Sequence, residues 1–418
     1  MPPDGDCSRR PARCVRRHGH RLSRVTEQRL WTRTFVIGIV VNLFMATVFY
    51  LLMTTMAVYA VDRFSASDAG AGLASSGFIV GAVVGRVLAG KFLDLVGRRR
   101  MLIVTMAVFV VAGLAYIPAD GLGLLIAVRL IHGFAFGLGN TALVASIQSV
   151  IPPARRAEGN GYFGTATTLA TAVGPFLGVT LAARFGFSSL FWVASACGLL
   201  AMLAALAYRV PERTITDEDR ALVKSFRPSS FVDAKALPYA AVMGFGGLAY
   251  SSVLAYLAGH TATVGVPQAA SMFFLLYAAG SLVARLFAGR IQDQYGDNVV
   301  VVPVFAVFGA GMATVAMADS VWAFSLAGLL TGLGFGCLLP SLQAILISRT
   351  TPAQVGVATS TFFLILDVGT GVGPVLLGLF ASAAGYTAMY WLSAGFVLVS
   401  AAVYALVHGF RVGRGAQD

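Results

Sequence analysis

The sequence predicts an all-α membrane protein with twelve transmembrane helices, arranged as two six-helix halves related by pseudo-symmetry. Three observations lead to this fold class. Of the 418 residues, 57% are hydrophobic and only 11% are charged, whereas about a quarter of the residues in a soluble domain are charged. Apolar runs of about 20 residues, long enough to cross the hydrocarbon core as helices, follow one another along the chain. The chain also repeats itself at a fixed spacing.

The internal repeat is clearest in a short polar loop. GKFLDLVGRRR, from Gly90 to Arg100, lies between two apolar runs and returns in a changed form as GRIQDQYGDN from Gly289. The two copies are 199 residues apart, and the same shift without a gap aligns matching residues over about ninety positions. The aligned pairs include Arg86 with Arg285, Asp94 with Asp293, Gly97 with Gly296, Phe136 with Phe335, Gly174 with Gly373 and Pro175 with Pro374. The chain therefore consists of two copies of one helical unit.

Twelve apolar runs mark the predicted spans, six in each half. The N-terminal half, residues 34–208, has predicted spans at 34–60, 70–92, 101–119, 122–149, 158–183 and 188–208. The C-terminal half, residues 237–409, has predicted spans at 237–259, 269–291, 299–318, 321–347, 356–382 and 386–409. The remaining segments are predicted to be cytoplasmic: a disordered basic tail at 1–33, a linker at 209–236 with a short amphipathic helix near Asp217 to Phe226, and a tail at 410–418.

The positions of Lys and Arg predict the orientation in the membrane. Arg63 and Arg184 would lie outside, Arg86, Arg129 and Arg285 would lie within spans, and all other basic residues fall on the side of the two termini. This positive-inside pattern places both termini in the cytoplasm and explains the net charge of +12 without nucleic acid. The abundance of Ala, Gly, Val and Arg is typical of a GC-rich bacterial source and predicts the bacterial inner membrane.

No metal site or cofactor is expected. Cys197 and Cys337 lie inside apolar runs, while Cys7 and Cys14 lie in the basic tail at a spacing that fits no familiar zinc pattern. The sequence has no nucleotide-binding loop and no Ser/His/Asp arrangement at matching depths, so an enzyme or a scaffold is a weak alternative. No ring of like charges is evident in the spans, which argues against a channel.

The twelve spans in two equivalent halves, with the GxxxDxxGRRR loop between spans two and three and its changed copy between spans eight and nine, resemble the major facilitator superfamily. The likeness covers essentially the whole chain after the N-terminal tail. It implies a secondary transporter that works by alternating access as a monomer, with a small molecule and protons as partners. Within the superfamily, the chain resembles the twelve-span drug:H⁺ antiporter group.

The resemblance implies that the loop is a latch between the halves. In the family, the Asp engages a helix terminus and an Arg of the opposite half in the outward-facing state, and these contacts break when the transporter changes state. The matching residues are Gly90, Asp94, Gly97, Arg98 and Arg99 in the first copy and Asp293 and Gly296 in the second. Asp297 replaces the basic residue in the second copy, which argues against a symmetric second latch. The alternative is a basic loop that only sets the topology.

The fifth and eleventh predicted spans carry glycine and proline motifs. Gly174, Pro175 and Gly178 partly match the family's antiporter signature, and Gly373 and Pro374 repeat part of it. A proline bends a helix and frees a carbonyl group, which suits a gating span. The resemblance favours proton-coupled efflux of an amphipathic drug or metabolite, although the copy in span eleven also fits a general architectural role. A sugar or organic-acid symporter or facilitator is the alternative function.

One carboxylate falls in the middle of a predicted span. Asp367 lies in FFLILDVGTGVGP, and an ionisable residue at membrane depth is a functional-site hypothesis by default. We expect Asp367 to bind a proton or cation, with Arg129 or His132 nearby in the cavity. The alternatives are a static ion pair with Arg285 or Arg86, or a carboxylic acid that neighbouring Ser and Thr side chains satisfy.

Arg129 and His132 are three positions apart in the fourth predicted span and therefore share a helix face. A cation at this depth costs at least about 2.5–3.5 kcal/mol without a partner, and the family's equivalent arginine is associated with proton transfer. The repeat places Gly328 at the position of Arg129 in the second half, so the repeat does not require the charge. Further polar candidates for the cavity are Asn42, Tyr50, Asn140 and Tyr250.

Overall fold

The computed structural model describes residues 29–66, 68–210, 212 and 231–409. Within these ranges the chain forms helices and short connections and no strand, which confirms the predicted all-α class. A helix suits a membrane because it satisfies its backbone N–H and C=O groups within one segment, where no water is present to do so. The predicted tails up to residue 28 and from residue 410, and the predicted amphipathic helix of the linker, lie outside the described residues.

The helices follow the predicted spans closely. In the first half they are α1 (Arg33–Met53), α2 (Met56–Phe64), α3 (Asp68–Val96), α4 (Arg98–Ala115), α5 (Leu122–Val150), α6 (Arg156–Phe185) and α7 (Phe187–Ala207). In the second half they are α8 (Leu237–Val264), α9 (Ala269–Tyr295), α10 (Asp297–Met317), α11 (Val321–Ser348) and α12 (Val355–Tyr404). Ten helical segments of the described chain, with α12 counted as two, are long and apolar enough to cross a membrane. Helices α3 and α4 occupy the places of the second and third predicted spans.

Two places differ from the predicted spans. The first span is divided at Thr54 and Thr55 into α1 and α2, where both hydroxyls donate to the carbonyl oxygen of Leu51, at 3.2 and 3.1 Å. Such side-chain bonds compete with the helical backbone pattern. Between the last two spans, where the sequence leaves residues 383–385 as a connection, two helices meet directly at the single non-helical residue Gly385; they are labelled together as α12.

The internal repeat reappears in the backbone. Helices follow one another without a loop at Gly97, Gly186, Gly296 and Gly385, whose φ angles are 92°, 76°, 94° and 83°. The first and third of these glycines, and the second and fourth, are 199 residues apart, as in the sequence repeat. Because a residue with a Cβ atom is strained at such φ angles, glycine allows the abrupt change of direction at equivalent places in both halves.

Each half has its own hydrophobic core. One cluster of buried apolar side chains extends from Leu30 to Val210 with a few residues of the other half, and a second extends from Ala236 to Tyr404. The two halves meet along two symmetry-related seams, α3 with α12 and α6 with α9.

Candidate functional site

Asp367 lies on α12 at the first seam and contacts an arginine of the other half. Its Oδ2 accepts a hydrogen bond from Nε of Arg86 on α3 at 2.7 Å. Arg86 is only 5% exposed, and its Nη1 also donates to Oδ1 of Asn140 on α5 at 3.0 Å. The ion pair therefore joins the two halves at a buried place, where the low dielectric strengthens the attraction between charges.

Further contacts hold Arg86 in position. Ser360, two turns before Asp367 on α12, donates its hydroxyl to the carbonyl oxygen of Arg86 at 2.6 Å. The guanidinium carbon of Arg86 lies 5.0 Å from the ring centre of Phe363 and 5.9 Å from that of Phe136, within the range of cation–π attraction. Helices α3 and α12 are thus connected at Arg86 through both its side chain and its backbone.

Arg129 does not lie beside Asp367, which corrects the expectation from the sequence. Its Nε and Nη2 donate to the carbonyl oxygens of Ala74 and Ser75, at 2.8 and 2.9 Å. These carbonyl groups precede Arg86 on α3 by at least eleven residues, which is about 16 Å along a helix that rises 1.5 Å per residue. The carbonyl groups supply partners for Nε and Nη2, whereas Nη1 is buried without a hydrogen-bond partner among the described residues.

His132 is also remote from the ion pair, in the interior of the N-terminal half. Its side chain is fully buried, and its Nδ1 shares a hydrogen bond with the hydroxyl of Tyr116 at 3.0 Å. The Phe109 ring packs against the imidazole with a centroid distance of 4.1 Å. The face that Arg129 and His132 share is directed towards α3 and α4 of their own half rather than towards the C-terminal half.

The predicted gating residues are Gly174, Pro175, Gly178, Gly373 and Pro374. A Cβ atom on Gly174 would lie 2.7 Å from Cβ of Tyr50 on α1, and Asn42 connects the same two helices by donating to Oγ1 of Thr167 at 3.1 Å. In the second half, a Cβ atom on Gly373 would meet the Ser251 side chain of α8. The glycines therefore allow close helix packing within each half, and Asn42 has a structural partner. A gating role for the two prolines stays a prediction.

Arg285, the repeat counterpart of Arg86, lies at the second seam on α9. It is 9% exposed, and its Nε donates to the carbonyl oxygen of Gly336 at 2.8 Å. Within the described part of the chain, it forms no ion pair with a carboxylate. Three tyrosines interact electrostatically with its guanidinium group: Tyr50, Tyr250 and Tyr277. From the sequence, Arg285 was expected only as a static ion-pair partner of Asp367. Its depth in the span and its match to Arg86 in the repeat are the two signals that mark it as a candidate site residue.

The tyrosines belong to an aromatic group in the second half. The ring of Tyr250 stacks on those of Tyr277 and Phe335, with centroid distances of 5.3 and 4.3 Å. Tyr50 of the first half interacts electrostatically with both Tyr277 and Asp367. Tyr50, Asn140 and Tyr250 are therefore close to the charged residues of the seams; a cavity lined by them and by Asn42 stays a prediction.

Both copies of the loop lie at one end of the molecule, which we call the inner end. There, the second copy connects the two halves. The two carboxylate oxygens of Asp293 accept hydrogen bonds from the backbone N–H groups of Ala157 and Glu158, at 2.9 and 2.8 Å. These groups lie in the first turn of α6, where N–H groups lack helical partners and the helix dipole is positive. Arg290 adds an ion pair with Glu158 at 2.9 Å.

Asp293 makes the contact between the halves that is expected of the loop, and a second latch stays a prediction. Asp297, the residue behind that expectation, has partners in its own half: its carboxylate accepts from Gln292 Nε2 at 2.8 Å and lies 2.9 Å from Nε2 of His408. The contact of Asp293 needs only the N-terminal N–H groups of α6 and not a basic residue at position 297.

The described hydrogen bonds of the first loop lie within its own half. Asp94 accepts from Nε of Arg98 at 3.0 Å. The carboxylate of Glu212, just beyond α7, accepts from the backbone N–H groups of Arg98 and Arg99 at 2.9 Å each, and thereby caps α4. Glu212 was not identified from the sequence, because nothing local links it to a loop more than a hundred residues earlier. A cross-half role for Asp94 stays a prediction.

Two helical halves with separate cores, joined by a buried ion pair and by charged contacts at one end, are the architecture of a two-half membrane transporter. The chain belongs to the Major Facilitator Superfamily, whose family model matches residues 38–275 and 239–414. This confirms the predicted family and its fold, and it makes the protein a multi-pass membrane transporter.

Several known proteins are similar to this chain. An uncharacterized MFS-type transporter of Burkholderia mallei (strain SAVP1) is 28% identical over 344 residues, which cover 79% of this chain and 81% of the relative. The crystal structure of the human organic anion transporter MFSD10 (TETRAN) matches with a TM-score of 0.70 at 18% identity and covers 89% of this chain and 98% of that one. The proton:xylose symporter XylE matches with a TM-score of 0.71 at 13% identity, covering 90% and 95%. At these identities the two structures show the fold alone.

Proposed function

We propose that this protein is a proton-coupled secondary transporter in which Asp367 carries the proton and Arg86 is its partner in the other half. The observation that carries the proposal is the distance of 2.7 Å between Arg86 Nε and Asp367 Oδ2. A carboxylate at membrane depth is costly and is retained for a purpose. This one lies on a seam whose contacts have to change when the two halves rock about a central site.

The protonation of Asp367 changes the strength of the first seam. A charged carboxylate attracts Arg86 by charge as well as by hydrogen bonding, whereas a protonated one keeps only the weaker hydrogen bond. Asn140 accepts from Arg86 in either case, so the arginine keeps a polar partner when Asp367 is neutral. Protonation therefore shifts the balance between states that differ at this seam, which is what coupling requires.

The contacts at the inner end support an outward-facing state. The described hydrogen bonds between the halves lie between the latch and the level of the ion pair; they join Asp293 to Ala157 and Glu158, Arg290 to Glu158 and Tyr162, Arg86 to Asp367 and Ser360, and Thr168 to Ser281. One turn beyond Asp367, a Cβ atom on Gly371 would have no neighbour within 4 Å. We therefore assign the proton path to the side of Asp367 away from the latch.

Two modes of coupling are compatible with this site. Efflux by antiport is supported by the partial antiporter motif around Gly174, and a cationic amphipathic substrate would compete with the proton for Asp367. Symport of a specific metabolite is supported by the second buried cation, Arg285. The two structural neighbours are described as an organic anion transporter and a proton:xylose symporter, so the likeness does not select the substrate.

The proposal is tested with purified protein in liposomes that contain a pH-sensitive dye. Lipophilic cations, sugars and organic acids are added in turn, and we expect one chemical class to move protons through the wild type but not through Asp367→Asn. Asp319→Asn is the matched control, because it removes an exposed carboxylate outside the seams. Protons that move against the substrate indicate antiport, and protons that move with it indicate symport. Undiminished proton movement in Asp367→Asn contradicts the proposal.

A further inference from the structure

The second seam resembles the first but lacks its acid. At the first seam, Arg86 of α3 contacts Asp367 of α12. The 199-residue repeat maps Arg86 onto Arg285 and maps Asp367 onto Thr168 of α6. The pairing of α6 with α9 therefore keeps the buried arginine of the coupling pair and has a threonine at the position of the carboxylate.

Thr168 does not replace the missing acid. Its hydroxyl lies 3.4 Å from Oγ of Ser281 and 3.4 Å from the carbonyl oxygen of Gly164, and no described hydrogen bond joins it to Arg285. The guanidinium group lies directly against the backbone of α6, since a Cβ atom on Gly164 would clash with Nη1 of Arg285. Glycine thus makes room for the cation at the seam without supplying a negative charge.

The charges at this level leave one cation in excess. Arg86 and Arg285 are both buried. Among the described residues, Asp367 is the one carboxylate that pairs with either of them. A buried charge is costly unless an opposite charge and hydrogen bonds compensate it. The tyrosines near Arg285 interact with it electrostatically but carry no full negative charge at neutral pH. An anion that is not part of the protein would complete this site.

We propose that Arg285 binds the anionic group of the transported substrate, and that the substrate is an organic anion with a flat apolar body. Its carboxylate or sulfonate would contact Arg285 as Asp367 contacts Arg86. Its body would contact the rings of Tyr250, Tyr277 and Phe335, each 8% exposed; the Tyr250 ring lies 5.3 Å from that of Tyr277 and 4.3 Å from that of Phe335.

This inference rests on the proposed function, because it assumes that the seams line the transport site, and it selects symport from the two modes. Arg86 on α3 and Tyr50 on α1 are the titratable groups that interact with Asp367. An anion bound to Arg285 adds negative charge at the level of Asp367 and therefore favours the protonation of that carboxylate. The anion and the proton are then bound together and move in the same direction.

The test is a binding experiment at fixed pH, with purified full-length protein in detergent. The probes are 2-naphthoate and 1-naphthalenesulfonate as anions, 2-naphthamide as a neutral analogue, and tetraphenylphosphonium as a lipophilic cation. We expect both anions to raise the thermal unfolding midpoint of the wild type by about 2–5 °C at saturation, and the amide and the cation to leave it unchanged. No shift with the anions, or an equal shift with the amide, overturns the inference.

Two sets of variants test the role of Arg285 itself. Arg285→Gln should lose the anion-dependent shift, and Arg285→Lys, which keeps the charge and guards against misfolding, should keep part of it. Thr168→Asp supplies the missing acid, so it should raise the midpoint without a probe and abolish the anion-dependent shift. Thr168→Asn is its neutral control and should retain the shift. An undiminished shift in Arg285→Gln or in Thr168→Asp overturns the inference.

The two proposals can fail separately. Asp367→Asn should lose proton movement but still bind the anions, because Arg285 is unchanged in that variant. If the anions do not bind while Asp367→Asn abolishes coupling, only the anion site is wrong. If the anions bind through Arg285 while Asp367→Asn remains coupled, only the proton site is wrong.

Discussion

At the scale of single residues, Arg86 explains why the carboxylate of Asp367 is tolerated at membrane depth. Arginine stays charged at any pH that a cell experiences and presents a rigid set of donors. Within the pair, therefore, only Asp367 can change its charge. Asn140 and the Phe363 ring give the guanidinium group further partners, so the cation is held in place when the carboxylate is neutralised.

Arg86→Gln should be more destabilising than the double variant Arg86→Gln/Asp367→Asn. The single change leaves a buried carboxylate without its cation, and breaking a buried pair on one side costs about 3–5 kcal/mol. The double change leaves two neutral groups that can still hydrogen-bond. Thermal unfolding in detergent measures the difference, with Arg349→Gln, an exposed arginine, as the control. Equal unfolding temperatures for Arg86→Gln and the wild type would show that the pair contributes nothing to the fold.

At the scale of helices, the latch depends on a helix end rather than on a particular pair of side chains. The first turn of α6 offers N–H groups that have no helical acceptors, and Asp293 on α9 binds two of them across the seam. The ion pair between Arg290 and Glu158 lies next to this contact. Separation of the inner ends of the two halves requires both contacts to break.

Asp293→Asn should open the inner end, because an amide accepts from two N–H groups less well than a carboxylate does. Leu93→Cys reports the opening: Leu93 is 1% exposed and packs against Gly356 of the other half. In a background without the four native cysteines, a bulky polar maleimide should label this cysteine several-fold faster in Asp293→Asn. The matched control is Asp297→Asn, whose carboxylate has partners in its own half. Equal labelling rates in all three proteins would mean that Asp293 does not hold the inner end closed.

The sequence predicted the helices well because their causes are local or periodic. Apolar length marks each span, and the glycines at the sharp turns are already in register in the sequence, as Gly97 with Gly296 shows. The last two spans were predicted as separate helices, and they meet at Gly385; the pattern could not show that one residue with a positive φ would replace a loop there. The break at Thr54 and Thr55 was missed as well, since threonine is common inside membrane helices.

The site was predicted only in part, because its contacts join residues that are distant in the chain. Depth alone selected Asp367, and its partner Arg86 was one of several alternatives. Arg129 lies at a similar depth along the sequence, but the carbonyl groups that it contacts could be identified only after α5 was placed against α3. The partner of Asp293 likewise lies 135 residues away in the other half, and no local pattern points to the start of α6.

At the scale of the whole molecule, the two seams are similar in backbone and different in charge. The first seam has a pair whose acid can gain a proton, and the second has an arginine without an acid. Because the repeat gives both seams equivalent helices, the difference in charge comes from a few residues that differ between the two copies. The main one is Thr168, which stands at the position of Asp367. We infer that the asymmetry divides the work, with the proton bound at one seam and the substrate at the other.

The central claim is that Asp367 couples transport to protons without being needed for alternation itself. The most direct measurement compares two kinds of flux through Asp367→Asn in liposomes, using a labelled compound that moves protons through the wild type. Exchange of labelled for unlabelled compound at equal pH should persist, since it requires only that the loaded carrier alternates. Accumulation driven by a pH gradient should fall to the level of empty liposomes. Accumulation at the wild-type level would contradict the account, as would loss of exchange together with accumulation.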